Sequence, residues 1–427
     1  MTIDSCLTTG LITVEQAREA LLQTITPLRE TETLPLGECC GRVLAERAPA
    51  QVDLPPCDNS AMDGYALCGE AQRYELVGKS LAGHPFTGTL LAGQCVRITT
   101  GAALPPGADR VVMQEHARVH GDAPGDSAPG QILVPETVPA AGSHIRRRGE
   151  DVRCSDTLAA PGRAITVPNV ALLAAAGVRE LVVMRPVRAA LLSVGDELRP
   201  PGTPAADLGP GEIYDSNRIA LDAALRQLGI ETIDIGCLPD CPDSIRAAFE
   251  RARDCADIVI TSGGVSVGEA DYTRAVLEQL GQLDLWRLAI KPGKPFAFGR
   301  LPKAGGETLF FGLPGNPVSA LVTLYQLVLP ALEKLRGVAD SERRAPFQSR
   351  ARLLNPIRKS PGRTDYQRGF TYRDSDGLQV VESTGIQGSH ILSGLSRANC
   401  FIVLARESGD RDTGDWVTIE PFRPPLG

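Results

Sequence analysis

The sequence predicts a multidomain α/β plus β protein: a central doubly wound α/β domain, an inserted β domain and a C-terminal β domain. Three observations lead there. Between Pro186 and about Gly337, apolar β-branched runs alternate with amphipathic stretches, the pattern of a mainly parallel sheet covered on both faces. From Val52 to about Gly142, short β-branched runs are separated by Gly/Pro turns instead. From Ala345 to Gly427 the short runs and turns return. The boundaries that follow are 52–144 for the inserted β domain, 186–338 for the α/β domain and 339–427 for the last one. Segments 1–51 and 145–185 then form a mixed α/β region interrupted by the insertion.

The elements follow in order. Thr13 to about Thr26 reads as a helix, with Thr13 as its cap, Gln16 three residues on, and Ala17, Ala20 and Leu21 on one face. Leu34 to Ala48 reads as strand, a turn at Gly41-Arg42, and strand. In the inserted domain the runs are Val96–Thr99, Arg110–Met113 and Gln131–Val134, with a polar loop from Gly121 to Gly130. An alanine-rich helix, Val170–Ala176, stops at Gly177. The α/β strands are Ala189–Val194, Glu231–Ile235, Asp257–Thr261, Arg287–Ile290, Phe296–Gly299 and Thr308–Phe311. One helix between them puts Leu221, Leu225 and Leu228 on one face; another does so with Ile245, Ala248, Phe249 and Ala252. The C-terminal runs are Leu378–Val381, Cys400–Ala405 and Asp415–Ile419.

Thr308 to Leu332 carries no charge, but Leu313-Pro-Gly-Asn-Pro317 breaks it and Pro330 interrupts the remainder. The unbroken part falls short of the ~18 to 20 apolar residues of a spanning helix. It reads as a core helix starting at Pro317, where proline suits the first turn. No membrane partner is expected.

The 427 residues carry 44 basic and 51 acidic side chains, net −7. That balance excludes nonspecific nucleic-acid binding, which needs a strongly basic face. The 11 cysteines are scattered and the five histidines are not at zinc-ligand spacing from them. Reduced thiols in a cytoplasmic protein are the expectation. Met1 to Gly10 lacks the basic start and apolar core of a signal peptide.

The strongest local signal is Asp257-Ile-Val-Ile-Thr-Ser-Gly-Gly-Val-Ser-Val-Gly268, an apolar strand running into a Ser/Gly loop. Gly263, Gly264 and Gly268 allow backbone N–H groups to converge on an anion, and Ser262 and Ser266 add hydroxyls. The loop is either a phosphate cradle or a plain strand–helix turn. Glu269 and Asp271 follow; they are either helix-capping acids or ligands to Mg²⁺, which favours one or two carboxylates plus phosphate oxygens. Ser193–Glu197, Leu238–Cys241 and Gly312–Pro317 also end strands, bringing Glu197, Asp240, Pro314, Gly315 and Asn316 to one sheet edge, where such folds bind ligands. Lys291, Lys294 and Arg287 could neutralise an anion there, or form a solvated basic turn. Outside this domain, Asp58–Tyr65, Ile145–Asp151, Gly362–Arg368 and Gly388–His390 are polar turns that form no recognisable nucleophilic set.

In combination these strings resemble the MoeA family of molybdopterin molybdenumtransferases, which includes the E domain of gephyrin. The matching stretches are Asp58–Ala66, Ile98–Gly101, Ile145–Asp151, Ser193–Glu197, Tyr214–Asn217, Thr261–Thr273, Ala289–Phe298, Leu313–Ala320, Gly362–Gly369 and Gly388–His390, in family order across nearly the whole chain. The resemblance implies a molybdopterin-binding α/β domain and an elongated homodimer joined through the 1–51/145–185 region. It implies an Mg²⁺-dependent transferase that takes adenylylated molybdopterin and molybdate and releases AMP. The upstream adenylyltransferase is a further implied partner. The family's functional acids fall on Asp58, Asp151, Glu197, Asp240 and Asp271, with metal ligation at Glu197, Asp240 and Asp271. Its basic and polar site residues fall on Thr100, Arg287, Lys291, Arg368 and Ser389. Because Asp58 and Asp151 lie outside the α/β domain, the resemblance implies a cleft completed across the dimer. Two departures stand out: Arg287 where relatives often have lysine, and Cys57 where they often have an aromatic. A molybdopterin adenylyltransferase or a non-catalytic pterin carrier are the alternatives.

Overall fold

A computed structural model describes residues 10–121, 130–264, 272–343 and 345–422. Its largest sheet has seven strands in the order Leu11–Ile12, Gln282–Leu288, Pro295–Lys303, Gly306–Leu313, Ile258–Ser262, Arg188–Val194 and Glu231–Leu238. Only Pro295–Lys303 runs against the rest. The strands are short, apolar and buried on both faces, which is what a covered parallel sheet requires. One face packs on Ser216–Gln227 and the long helix that follows Asn316, through Leu221, Leu225, Val318 and Val322. The other packs on Pro242–Cys255 and Tyr272–Leu280, through Ile245, Phe249, Val276 and Leu277.

The apolar stretch after Leu313 forms the expected core helix from Pro317, and it runs through Pro330 to Leu335. It is long and apolar enough to cross a membrane, but 89% of it is buried inside the protein. Proline lacks an N–H and its ring crowds the carbonyl four residues back, here that of Gln326. Two features accommodate it. Leu324–Val328 widens into a π turn, and Arg18 Nε donates to the Gln326 carbonyl at 3.1 Å.

The helix Val14–Thr24 is capped by Thr13 and Gln16 in the reciprocal manner expected. Its buried residues Val14, Ala17 and Leu21 join the core of the large sheet, and Leu11–Ile12 adds a strand to that sheet. The start of segment 1–51 therefore packs with the α/β domain, not with 145–185. An apolar helix face buries itself against the largest core it can reach. The rest of that segment does meet the second half: Thr31–Pro35 pairs with Glu180–Met184 and Ala48–Pro49 with Thr157–Ala159, around Leu36, Leu44, Leu173 and Val183.

Between those halves sits a six-stranded sheet from Gly64–Leu67 to Ile132–Pro135, with apolar clusters on both faces. Residues 122–129 of its polar loop lie outside those described. At the C-terminus, Thr364–Arg373, Gln379–Ser383, Ser349–Leu353, Trp416–Pro421 and Cys400–Leu404 pair in a ring that closes back on the first, a five-stranded barrel. The expected strand Arg287–Ile290 divides between two sheets. Its first part belongs to the large sheet, while Ile290–Lys291 pairs in parallel with Thr364–Asp365 of the barrel. The pivot is Ala289, whose N–H donates to Ile12 O at 2.7 Å and whose carbonyl accepts from Thr364 N at 2.8 Å.

Candidate active site

Register sets the site. Val194 stands beside Leu238, Ser193 beside Ser262 and Ser262 beside Leu313, so these strands end level at one edge. The loops that follow project together there. Pro295 opens the antiparallel strand opposite Arg287, so the Lys291–Lys294 turn emerges at the same edge. The result is a cleft of about 950 Å³ lined by residues of the α/β domain and the barrel.

Of the expected residues, Glu197, Ser262, Gly263, Gly264, Lys291, Lys294, Pro314, Gly315, Asn316 and Ser389 line this cleft. Gly264 has φ +66, and a Cβ there would lie 2.4 Å from Thr273 Oγ1. Gly293 has φ +109, and a Cβ would lie 2.7 Å from Thr323 Oγ1. Both turns therefore need glycine on conformational and steric grounds. Asn217 Nδ2 donates to Gly315 O at 2.7 Å and fixes the Pro-Gly-Asn turn against the start of the neighbouring helix. Val318 N donates to Ser389 O at 3.1 Å, which seats the barrel's Gly388–His390 loop on the long helix's first turn. The Glu197 carboxylate has no hydrogen bond or ion pair among the described residues. Lys291 Nζ lies 3.4 Å from Asp365 Oδ2.

Arg368 is fully buried behind the wall. Its Nη2 donates to Ile386 O and to Gly388 O, at 3.3 and 3.0 Å, while Nε and Nη1 have no partner among the described residues. Burial lowers its pKa from the ordinary arginine value. Arg287 is exposed at the same edge but does not line the cleft, since its strand position points it away. Asp240 also stands back from it: its N–H donates to Asp196 Oδ1 at 3.1 Å, and its carboxylate accepts from Asp196 N at 3.3 Å. Ser266, Gly268, Glu269 and Asp271 lie outside the described residues. Of the expected metal set only Glu197 and Asp240 fall among the described residues, where no three His, Cys, Asp or Glu side chains form a metal site.

Asp58, Thr100 and Asp151 form a second cluster, in and beside the inserted domain, and do not line the cleft. Asp58 accepts from Arg148 N at 2.8 Å and from Arg147 Nη1 at 2.6 Å. The Arg148 amide first, then the Arg147 guanidinium, hold its carboxyl below the usual range. Thr100 donates from N and Oγ1 to Asp63 Oδ1, at 2.7 and 3.1 Å. Asp151 N donates to Leu54 O.

Three family models tile the chain: the MoeA N-terminal region (domains I and II) over 12–177, a probable molybdopterin binding domain over 190–334, and the MoeA C-terminal region (domain IV) over 350–422. The molybdopterin molybdenumtransferase of Haemophilus influenzae is 44% identical over 98% of this chain and 100% of its own. The chain belongs to the MoeA family. Gephyrin of Dictyostelium discoideum is 30% identical over 91% of this chain and 59% of its own length. The molybdopterin biosynthesis MoeA protein of Pyrococcus horikoshii OT3 superposes with a TM-score of 0.80 over 97% of this chain and 100% of that one, at 27% identity.

For this MoeA-family chain, several cleft residues carried no role in the sequence reading. Ser216, Asn217 and Ser319 each stand in the first turn of a helix at the sheet edge, a position that could have been read as anion-facing. Arg363, Gln387 and His390 reach the cleft only because the barrel docks there, and no local signal marks that.

Proposed function

We propose that this chain inserts molybdenum into molybdopterin in molybdenum cofactor biosynthesis, using adenylylated pterin and molybdate and releasing AMP. The observation that carries the reading is the cleft itself. Two lysines, a Ser-Gly-Gly turn and a Pro-Gly-Asn turn converge at the carboxyl edge of a sheet whose family model describes a molybdopterin binding domain. Relatives named molybdopterin molybdenumtransferase match along the full chain.

The chemistry suits the donors. Molybdate is a tetrahedral dianion, and Lys291, Lys294, the Ser389 hydroxyl and backbone amides supply positive or hydrogen-bonding partners. The two glycine turns can take the pterin phosphate and the adenylate. Glu197, without a partner among the described residues and lining the cleft, fits one carboxylate ligand of a Mg²⁺ whose remaining ligands would be phosphate oxygens and water. Asp271 would be a second ligand and Asp240 would hold the Glu197 loop through Asp196. Bound there, Mg²⁺ would stabilise charge on the leaving phosphate. The residues of the cleft then hold the anion, orient the dithiolate and exclude water. Asp58, Thr100 and Asp151 would enter the cleft from a second copy of the chain. The test is a single assay with adenylylated molybdopterin: AMP is expected only when molybdate and Mg²⁺ are both present. Formation of ATP on adding pyrophosphate would point to an adenylyltransferase, and binding with no release would point to a carrier.

A further inference from the structure

Asp365 lies one layer behind the cleft, on the barrel strand Thr364–Arg373, and is 3% exposed. A carboxylate so deeply placed is costly unless charge and hydrogen bonds offset its lost hydration. Its Oδ2 accepts from Gln367 Nε2 at 3.1 Å and stands 3.4 Å from Lys291 Nζ. That contact crosses a domain boundary. It is fixed by the short parallel pairing that sets Lys291 beside Asp365.

Two more buried cations share the field of this carboxylate, Lys359 and Arg368. Lys359 is 4% exposed, and its ammonium is spent on the carbonyls of Ser360, Arg406 and Ser408, at 3.3, 3.2 and 2.9 Å. Arg368 is fully buried and keeps two nitrogens, unpartnered among the described residues, behind Gly388 of the cleft wall. Lys291 is the cation in contact with this carboxylate, while Lys359 and Arg368 feel its field from farther off. Lys291 is the exposed member of the group, with 45% of its side chain accessible, so it alone can turn from Asp365 toward a ligand.

We propose that Asp365 is the resident counter-ion of the cleft's anion site: it holds the Lys291 ammonium while the cleft is empty and limits how tightly an oxyanion is then bound. This rests on the reading of the cleft as an oxyanion site. A negative charge beside an anion site opposes binding, so its removal strengthens binding, whereas mere loss of structure weakens it. That difference in sign separates a counter-ion from a packing residue.

The experiment is calorimetric titration of the full chain with sodium molybdate and with sodium sulfate. Asp365→Asn is expected to bind both about tenfold more tightly than the parent chain. Asp365→Ser, a second neutral variant that leaves a hydroxyl for Gln367, should shift affinity the same way and serves if the Asn variant does not fold. Asp365→Glu, which keeps the charge, should stay within about threefold of the parent. Unchanged or weaker binding in the neutral variants overturns the proposal, as does equal tightening in the Glu variant. Lys291→Met is the control for the underlying reading and should lose most of the molybdate affinity. If it binds like the parent, the oxyanion reading of the cleft fails and the proposal goes with it. If it loses binding while the neutral Asp365 variants are unchanged, only the counter-ion assignment falls.

Discussion

The cleft and the Asp58 cluster are both polar, glycine-rich and built from turns, yet their charges are spent differently. Around Asp58 three carboxylates have local partners: Asp58 with Arg147, Asp53 with Arg148, and Asp63 with the Thr100 amide and hydroxyl. In the cleft, among the described residues, Glu197 has no partner and Arg368 keeps two unbonded nitrogens. Paired charges stabilise a turn. Unpaired ones near an opening cost stability, and they persist where a ligand completes them. The difference teaches that the cleft is the part of one chain prepared for a ligand, while the Asp58 turns are already satisfied within it.

The largest test of that contrast is Lys291→Met. Molybdenum incorporation per pterin should fall on the order of 100-fold, as when one charged stabiliser is removed from a reacting centre, and the thermal midpoint should fall as well because buried Asp365 loses its cation. A loss below threefold would place Lys291 outside the site. Glu197→Gln should reduce AMP release roughly 10- to 100-fold, partly restored by raised Mg²⁺, because a ligand rather than a fold element is lost. Magnesium-independent loss would assign the carboxylate another task.

Gly293→Ala probes the cleft as a structure. The positive φ and the approach to Thr323 should lower unfolding free energy by about 1 to 3 kcal/mol, read by denaturant titration. Asp58→Asn sharpens the other side. Molybdate titration of the cleft should be unchanged, since Asp58 does not line it, while turnover drops about tenfold if the residue serves a second copy's cleft. Mixing this variant with Lys291→Met chains should then restore part of the activity. No restoration would remove the cross-dimer role.

The smallest effect is in pH. The Asp58 carboxyl is held below its unfolded value, so its hydrogen bonds are fully present above about pH 4 and are lost as pH falls through the depressed range. Protection of the Arg148 amide, its exchange rate relative to the intrinsic rate at the same pH, should therefore fall only below that pH. Loss of protection near neutrality would contradict the pairing.

Several local features were legible, though Leu34–Ala48 is a strand end, a 3-10 turn and a two-residue strand rather than two strands about a turn. The Thr13/Gln16 cap, the helix faces around Leu221 and Ile245, and the Gly turns after Ser262 and Leu313 follow from residue order alone. Such features depend on neighbours a few positions apart, so the sequence contains their causes. Asp365 could not be placed that way, because Lys291 is 74 positions distant and meets it only when the barrel docks. The same holds for the helix through Pro330, where a distant arginine supplies what the proline denies.

By itself the sequence determined the alternation of strand and helix, the glycine-bearing strand ends and the family motifs, since backbone preference and apolar periodicity are local properties. Only the tertiary structure decided which turns share an opening, that the first helix joins the central core, and that Lys291 faces a buried carboxylate from another domain. Those outcomes depend on sheet register and on which apolar faces find each other, and neither is written in any short stretch of residues.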